Sequence, residues 1–91
     1  MTKSEFKRNI ETQGNDIHFE LAGRKFNVGY LPVPLGNGKY GFDRIGICDE
    51  AVLDIAWYKT VDEMLENHEI DGGLLIKQLN DVKNMHGIPT A

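Results

Sequence analysis

Cysteine occurs once in this chain, at Cys48, so no internal disulfide can form and packing alone has to hold the fold. A reactive thiolate needs cations or a helix N-terminus beside it, and the neighbours here are Asp49 and Glu50. Cys48 therefore reads as a small apolar residue near a strand end. Long apolar runs are missing as well. The longest, Ile55-Ala56-Trp57-Tyr58, falls far short of the roughly 20 residues that cross a bilayer as a helix. The opening Met1-Thr2-Lys3-Ser4-Glu5-Phe6-Lys7 is charged where a signal peptide is continuously apolar. The expectation is a soluble, cytoplasmic protein.

Chemical motifs are equally scarce. His18, His68 and His86 include no pair at i, i+4, and the lone cysteine has no partner, so neither a metal nor a cofactor is expected. No Ser/His/Asp set, Cys/His pair or phosphate loop can be assembled, and the chain reads as non-enzymatic. Gly36-x-Gly38-x-x-Gly41 matches a dinucleotide fingerprint in letters only. That fingerprint needs a strand before it and a helix after it, whereas a proline-broken segment precedes this one and a strand is expected to follow. A turn built on glycines is the better reading.

What is present suits one domain, because two halves of 91 residues could not each bury a core. The 41 % hydrophobic and 26 % charged residues lie in the ordinary globular range. The net charge of −4 conceals an asymmetry. Residues 1–48 hold seven Lys and Arg against five acids, while 49–91 hold three Lys against nine. Such a dipolar surface favours steering of a charged partner over binding of a long polyanion.

Periodicity predicts an α+β fold. Thr2 and Glu5 form a capping box, Met1 staples against Phe6, and Phe6 and Ile10 stack at i, i+4 on a short helix that Gly14 would end. Ile17, Phe19 and Leu21 alternate with polar positions, as do Phe26, Val28 and Tyr30. A type II′ turn at Gly23-Arg24 pairs Leu21 with Phe26, Phe19 with Val28 and Ile17 with Tyr30. Phe42–Ile47 and Val52–Tyr58 suggest a second hairpin with a loop at Asp49-Glu50-Ala51 and a bulge near Asp43-Arg44. Its inner face would carry Ile45, Ile47, Leu53, Ile55 and Trp57, with Trp57 as a core anchor. A helix over 49–58 is the alternative. Thr60 and Glu63 cap a helix bearing Val61, Met64, Leu65 and His68. Asp71 caps another bearing Leu75, Leu79, Val82 and His86, ended by Gly87 and Pro89. The sum is a four-stranded antiparallel sheet of two hairpins, with a short N-terminal helix and two C-terminal helices on one face.

Three surfaces stand out. Leu31–Phe42 is long for a hairpin connection, and Pro32 and Pro34 stiffen it. It offers Leu31, Val33, Leu35, Lys39, Tyr40 and Phe42 as anchors for another protein, or instead as a cover for the sheet end. Arg24, Lys25, Lys39 and Arg44, interleaved with aromatics, form an alternative nucleic-acid surface, although four cations on an acidic chain make a thin one. Asp62, Glu63, Glu66, Glu69 and Asp71 crowd one stretch; Asp62 and Glu63 suit a helix N-terminus and the others a solvated face or a contact for a cationic partner. The sequence thus supports a protein-binding module, accessory or regulatory in kind, with a homodimer compatible.

Overall fold

The computed structural model describes residues 1–12, 17–30, 33–41 and 44–87. Helix α1 runs Lys3–Thr12 and is followed by strands β1 (Ile17–Leu21), β2 (Arg24–Gly29), β3 (Val33–Gly36), β4 (Lys39–Gly41), β5 (Ile45–Asp49) and β6 (Ile55–Tyr58). Helix α2 (Val61–Asn67), strands β7 (Glu69–Ile70) and β8 (Gly73–Leu74), a 3₁₀ helix (Leu75–Asp81) and strand β9 (Lys83–Gly87) complete the order. Five strands form one antiparallel sheet in the order β6-β5-β2-β1-β9. Among the described residues, strands β3 and β4 pair only with each other, as do β7 and β8. The α+β class holds, but the main sheet has five strands rather than the expected four, and two small hairpins are added to it. Among the described residues no helix is long and apolar enough to cross a membrane.

Both α-helices start as their capping residues dictate. The Thr2 hydroxyl accepts from the Glu5 amide at 3.1 Å and donates to its carboxylate, and the Thr60 hydroxyl accepts from the Glu63 amide at 3.1 Å. The i, i+4 spacing of Phe6 and Ile10 and the stripe Val61, Met64, Leu65 point these side chains into the core. There they meet Ile17, Phe19, Leu21, Phe26, Val28, Ile45 and Ile47 from one face of the sheet, with Ile70, Leu75 and Leu79 closing the far side. Phe19 stands at the centre. Its ring stacks on Phe26 at 5.3 Å and meets Phe6 edge-on at 5.8 Å.

The first hairpin keeps its predicted face but not its register. Ile17 faces Val28, Phe19 faces Phe26 and Leu21 faces Arg24. The turn is Ala22-Gly23, with φ of 55° and 75°, so both central residues are left-handed as a type I′ turn requires. Relative to the expected pairing the slip is two residues, and an even slip leaves the same side chains on the same side. The right-handed strand twist prefers I′ geometry enough to hold even alanine at positive φ.

Strand β6 lies in the opposite phase to that expected. Ile45 faces Tyr58, Ile47 faces Ala56 and Gly46 faces Trp57. The loop is longer than Asp49-Glu50-Ala51 because the Asp49 carbonyl accepts from the amides of both Val52 and Leu53, and Leu53 turns through φ 66°. Tyr58 and Ala56 therefore face the core, while Trp57 and Ile55 face outward, and Leu53 is 74 % exposed. The helical alternative for 49–58 does not occur; the segment is the last residue of β5, a turn and the whole of β6. The expected C-terminal helix is also replaced. Asp71-Gly72 (φ 52° and 82°) is another I′ turn, between β7 and β8, not a helix cap. Leu75 and Leu79 are buried as predicted but on a 3₁₀ helix, and β9 then turns back to pair with β1. Gly14, Asp43 and Pro89 lie outside the described residues.

Three substitutions check this arrangement. Phe19→Ala removes the central ring and should cost about 3–5 kcal/mol in denaturant unfolding, whereas Trp57→Ala should cost much less because its ring lies off the core face. Ala22→Asn should raise stability by about 0.5–1 kcal/mol by relieving the left-handed alanine, whereas a II′ turn at Gly23-Arg24 predicts no gain.

Candidate functional site

The anchors expected between 31 and 42 fall on the β3–β4 ribbon, with Leu31 and Phe42 outside the described residues. The ribbon closes through Asn37-Gly38 at φ 52° and 73°, a third I′ turn, so the glycine spacing serves a hairpin rather than a phosphate. Tyr40 faces Pro34 across the ribbon, and the register breaks between Pro34 and Gly36, which makes Leu35 the residue at the irregularity. Proline is tolerated there because the ribbon has no further strand needing its amide. Leu35 is 64 % and Tyr40 59 % exposed, Lys39 is exposed and Val33 half-buried.

The four cations of the alternative surface are divided. Arg24 and Lys25 start β2, beside the first turn, while Arg44 precedes β5 at the other end of the β2–β5 ladder and Lys39 sits on the ribbon. Arg24 also reaches two acids, Asp49 at 3.6 Å and Asp71 at 3.3 Å. The acidic stretch is partly neutralised too. Asp62 binds Lys3 and Lys7, each at 3.0 Å, which ties the start of α2 to α1. Hydrogen bonds from these two lysines hold its carboxyl below the ordinary range.

The sheet face away from the helices carries a cluster that sequence patterns alone do not assemble. Strand pairing sets His86 opposite His18 and His18 opposite Asn27, with Cys48 opposite Asn27 on the other side. The two imidazoles stack at 5.8 Å with 22° between their planes. His18 Nδ1 meets the Glu50 carboxylate, and Nε2 lies 3.4 Å from the Asn27 side-chain amide. His86 Nδ1 donates to the Asn84 carbonyl at 2.7 Å. A shallow depression of about 280 Å³ lies over this cluster, also bordered by Glu20 and Lys25. Only the strand status of 83–87 brings His86 here, whereas the periodicity of 71–86 favours a helix. Among the described residues, no group of three or more His, Cys, Asp or Glu is placed to hold a metal. Burial and the nearby Asp49, Glu50 and Asp54 push the Cys48 thiol up, and it donates to the Asp49 carbonyl at 3.3 Å. It is a poor nucleophile.

Comparison with protein-family models, with curated proteins and with solved structures found no match for this chain.

His68 follows α2 at its C-cap and faces the core side of β6. The Tyr58 hydroxyl lies 3.0 Å from its Nδ1, and the two rings meet edge-on. Burial lowers the His68 pKa from its ordinary 6.5 and raises that of Tyr58, so the hydroxyl donates to a neutral ring. Below the ordinary value the unfolded chain takes up the proton first, so unfolding binds protons and acid destabilises the fold. Melting temperature should therefore fall as pH is lowered from about 7.5 to about 5, and His68→Gln should flatten that part of the profile. An equal slope in wild type and variant would show that His68 does not set it.

Proposed function

We propose that this chain is a non-enzymatic protein-binding module, accessory or regulatory in kind, and that the β3–β4 ribbon is its contact edge. The observation that carries the reading is the exposure of Leu35 and Tyr40 on a ribbon that no strand of the main sheet continues. A residue recruited only to cover the sheet end would be buried there, and these two are not. The I′ turn and Pro34 stiffen the ribbon, so little conformational freedom remains to be lost on binding. A tyrosine paired with a proline, next to a protruding leucine, is the kind of small anchor set that dominates interface energy. The dispersal of Arg24, Lys25, Lys39 and Arg44 favours a protein over a nucleic acid as the partner.

A photo-crosslinking residue at position 40 should capture the partner from native lysate, and identification by mass spectrometry supplies the ligand for titration. Tyr40→Ala and Leu35→Ala should each weaken binding by at least about ten-fold and leave the melting temperature unchanged. Loss of stability in these variants would instead assign the ribbon a covering role. A steep linear fall of log affinity with log salt would make nucleic acid the better answer.

A further inference from the structure

The five-stranded sheet ends in two edges of different character. Strand β9 is blunted: it begins with Lys83, Asn84 takes φ 54°, and its register against β1 breaks between His18 and Glu20. Lysine, a bulge and an irregular backbone are the usual means of preventing edge-to-edge pairing. Strand β6 has none of them. Its sequence is Ile-Ala-Trp-Tyr, it is in unbroken register with β5, and among the described residues no strand lies beyond it. Val52, Leu53 and, after Asp54, the opening Ile55 are apolar and uncovered, at 61 %, 74 % and 42 % exposure. An apolar edge with open hydrogen-bonding groups is a template for another strand.

We propose that β6 is a self-association edge, at which two copies of this chain pair their Ile55–Tyr58 strands antiparallel about a two-fold axis and join their sheets into one. A two-fold axis perpendicular to a sheet keeps like faces together and sets one residue opposite its own copy. Centred on Ala56, it places the smallest side chain of the strand against itself on the core side. On the outer side it pairs Ile55 with Trp57 of the second copy, and does so twice. Cross-strand pairs of aromatic with β-branched side chains are among the most favourable in sheets. Charge selects the same occupant. Exposed Asp54 precedes the strand and exposed Lys59 follows it, so in this register Asp54 stands opposite Tyr58 of the second copy, one residue from that copy's Lys59, and unlike charges are neighbours at both ends of the seam. Parallel pairing would bring like charges together. The inference uses none of the ribbon residues and does not rest on their role; its consequence for them is that a dimer displays two ribbons and binds a repeated partner with added avidity.

Sedimentation equilibrium of the full chain from micromolar to millimolar should show a reversible monomer–dimer equilibrium. Trp57 is the single tryptophan, so its emission should shift to the blue in step with dimer formation. Ile55→Lys places a charge on the seam and should raise the dissociation constant at least about ten-fold. Asp54→Lys and Lys59→Asp should each weaken association about three-fold or more, and combining them should restore it. That restoration is the deciding result, because a substitution that merely loosened the fold would not be rescued by a second one. Amide exchange should show concentration-dependent protection within Ile55–Tyr58. A chain that stays monomeric at millimolar concentration overturns the proposal, as does a dimer indifferent to Ile55→Lys, a double variant no better than the single ones, or protection that appears on 33–41 instead.

Discussion

Phe19 reaches the helical layer through Phe6 and its neighbouring strand through Phe26, and the remainder of the fold is arranged around that contact. Phe19 joins two other buried aromatic rings, and a chain with a single cysteine has no internal disulfide to substitute for that contact. For the contact to form, Phe6 must lie on the inward stripe of α1 and Phe19 and Phe26 on one face of their hairpin. That sidedness then extends outward: Ile17, Leu21 and Val28 follow by alternation, and Ile45 and Ile47 complete the floor on β5. Helices α1 and α2, the latter linked to the former through Asp62 and two lysines, form the roof.

The same backbone device closes each of the three tight hairpins. Ala22-Gly23, Asn37-Gly38 and Asp71-Gly72 all place two consecutive residues at positive φ, the conformation whose twist matches that of the flanking strands. Only the glycine of each pair adopts it without steric cost, and Asn37 and Asp71 tolerate it better than Ala22. The last of these turns redirects the C-terminal third. With Gly72 and Gly73 committed to a hairpin, the following helix shortens to a 3₁₀ segment. Gln78 then bridges the Ile70 and Gly73 carbonyls at 2.9 and 2.7 Å. With the helix ended early, Lys83–Gly87 is free to become the fifth strand.

Because one face of the sheet is committed to the core, the polar residues at the alternate positions of β1, β2, β5 and β9 are displayed together on the other. His18, His86, Asn27 and Cys48 form a row there, with Glu50 against the His18 ring. The apolar residues that the core did not take are instead at the margins: Leu35 and Tyr40 on the ribbon, and Val52, Leu53 and Ile55 along the β6 edge. Exposure of this kind, confined to an edge and a ribbon rather than scattered, is why both proposals concern association rather than catalysis.

Local rules suffice for whatever depends on neighbours in the chain. Capping residues locate the starts of both α-helices, and alternation identifies β1 and β2 and the face they bury. The proposed contact residues Pro34, Leu35 and Tyr40 can be picked out from the amino-acid order alone, whereas their exposure on a ribbon is read from the structure. Pairing partners and phase are not local. A two-residue slip in the first hairpin leaves every side chain on its expected face, so alternation cannot detect it; the turn conformation decides it. The side of Trp57 depends on how many residues the Asp49 loop absorbs, and carbonyl-to-amide bonds set that number. Lys83–Gly87 has little strand character of its own, and it becomes a strand because the unpaired edge of β1 supplies hydrogen-bond partners that a solvated helix end would not. Sequence alone determined the class of the fold and which side chains are buried along β1, β2, α1 and α2. Tertiary structure alone decided the registers, the fifth strand and the meeting of His18 with His86, because each is a contact between segments that no short-range pattern encodes.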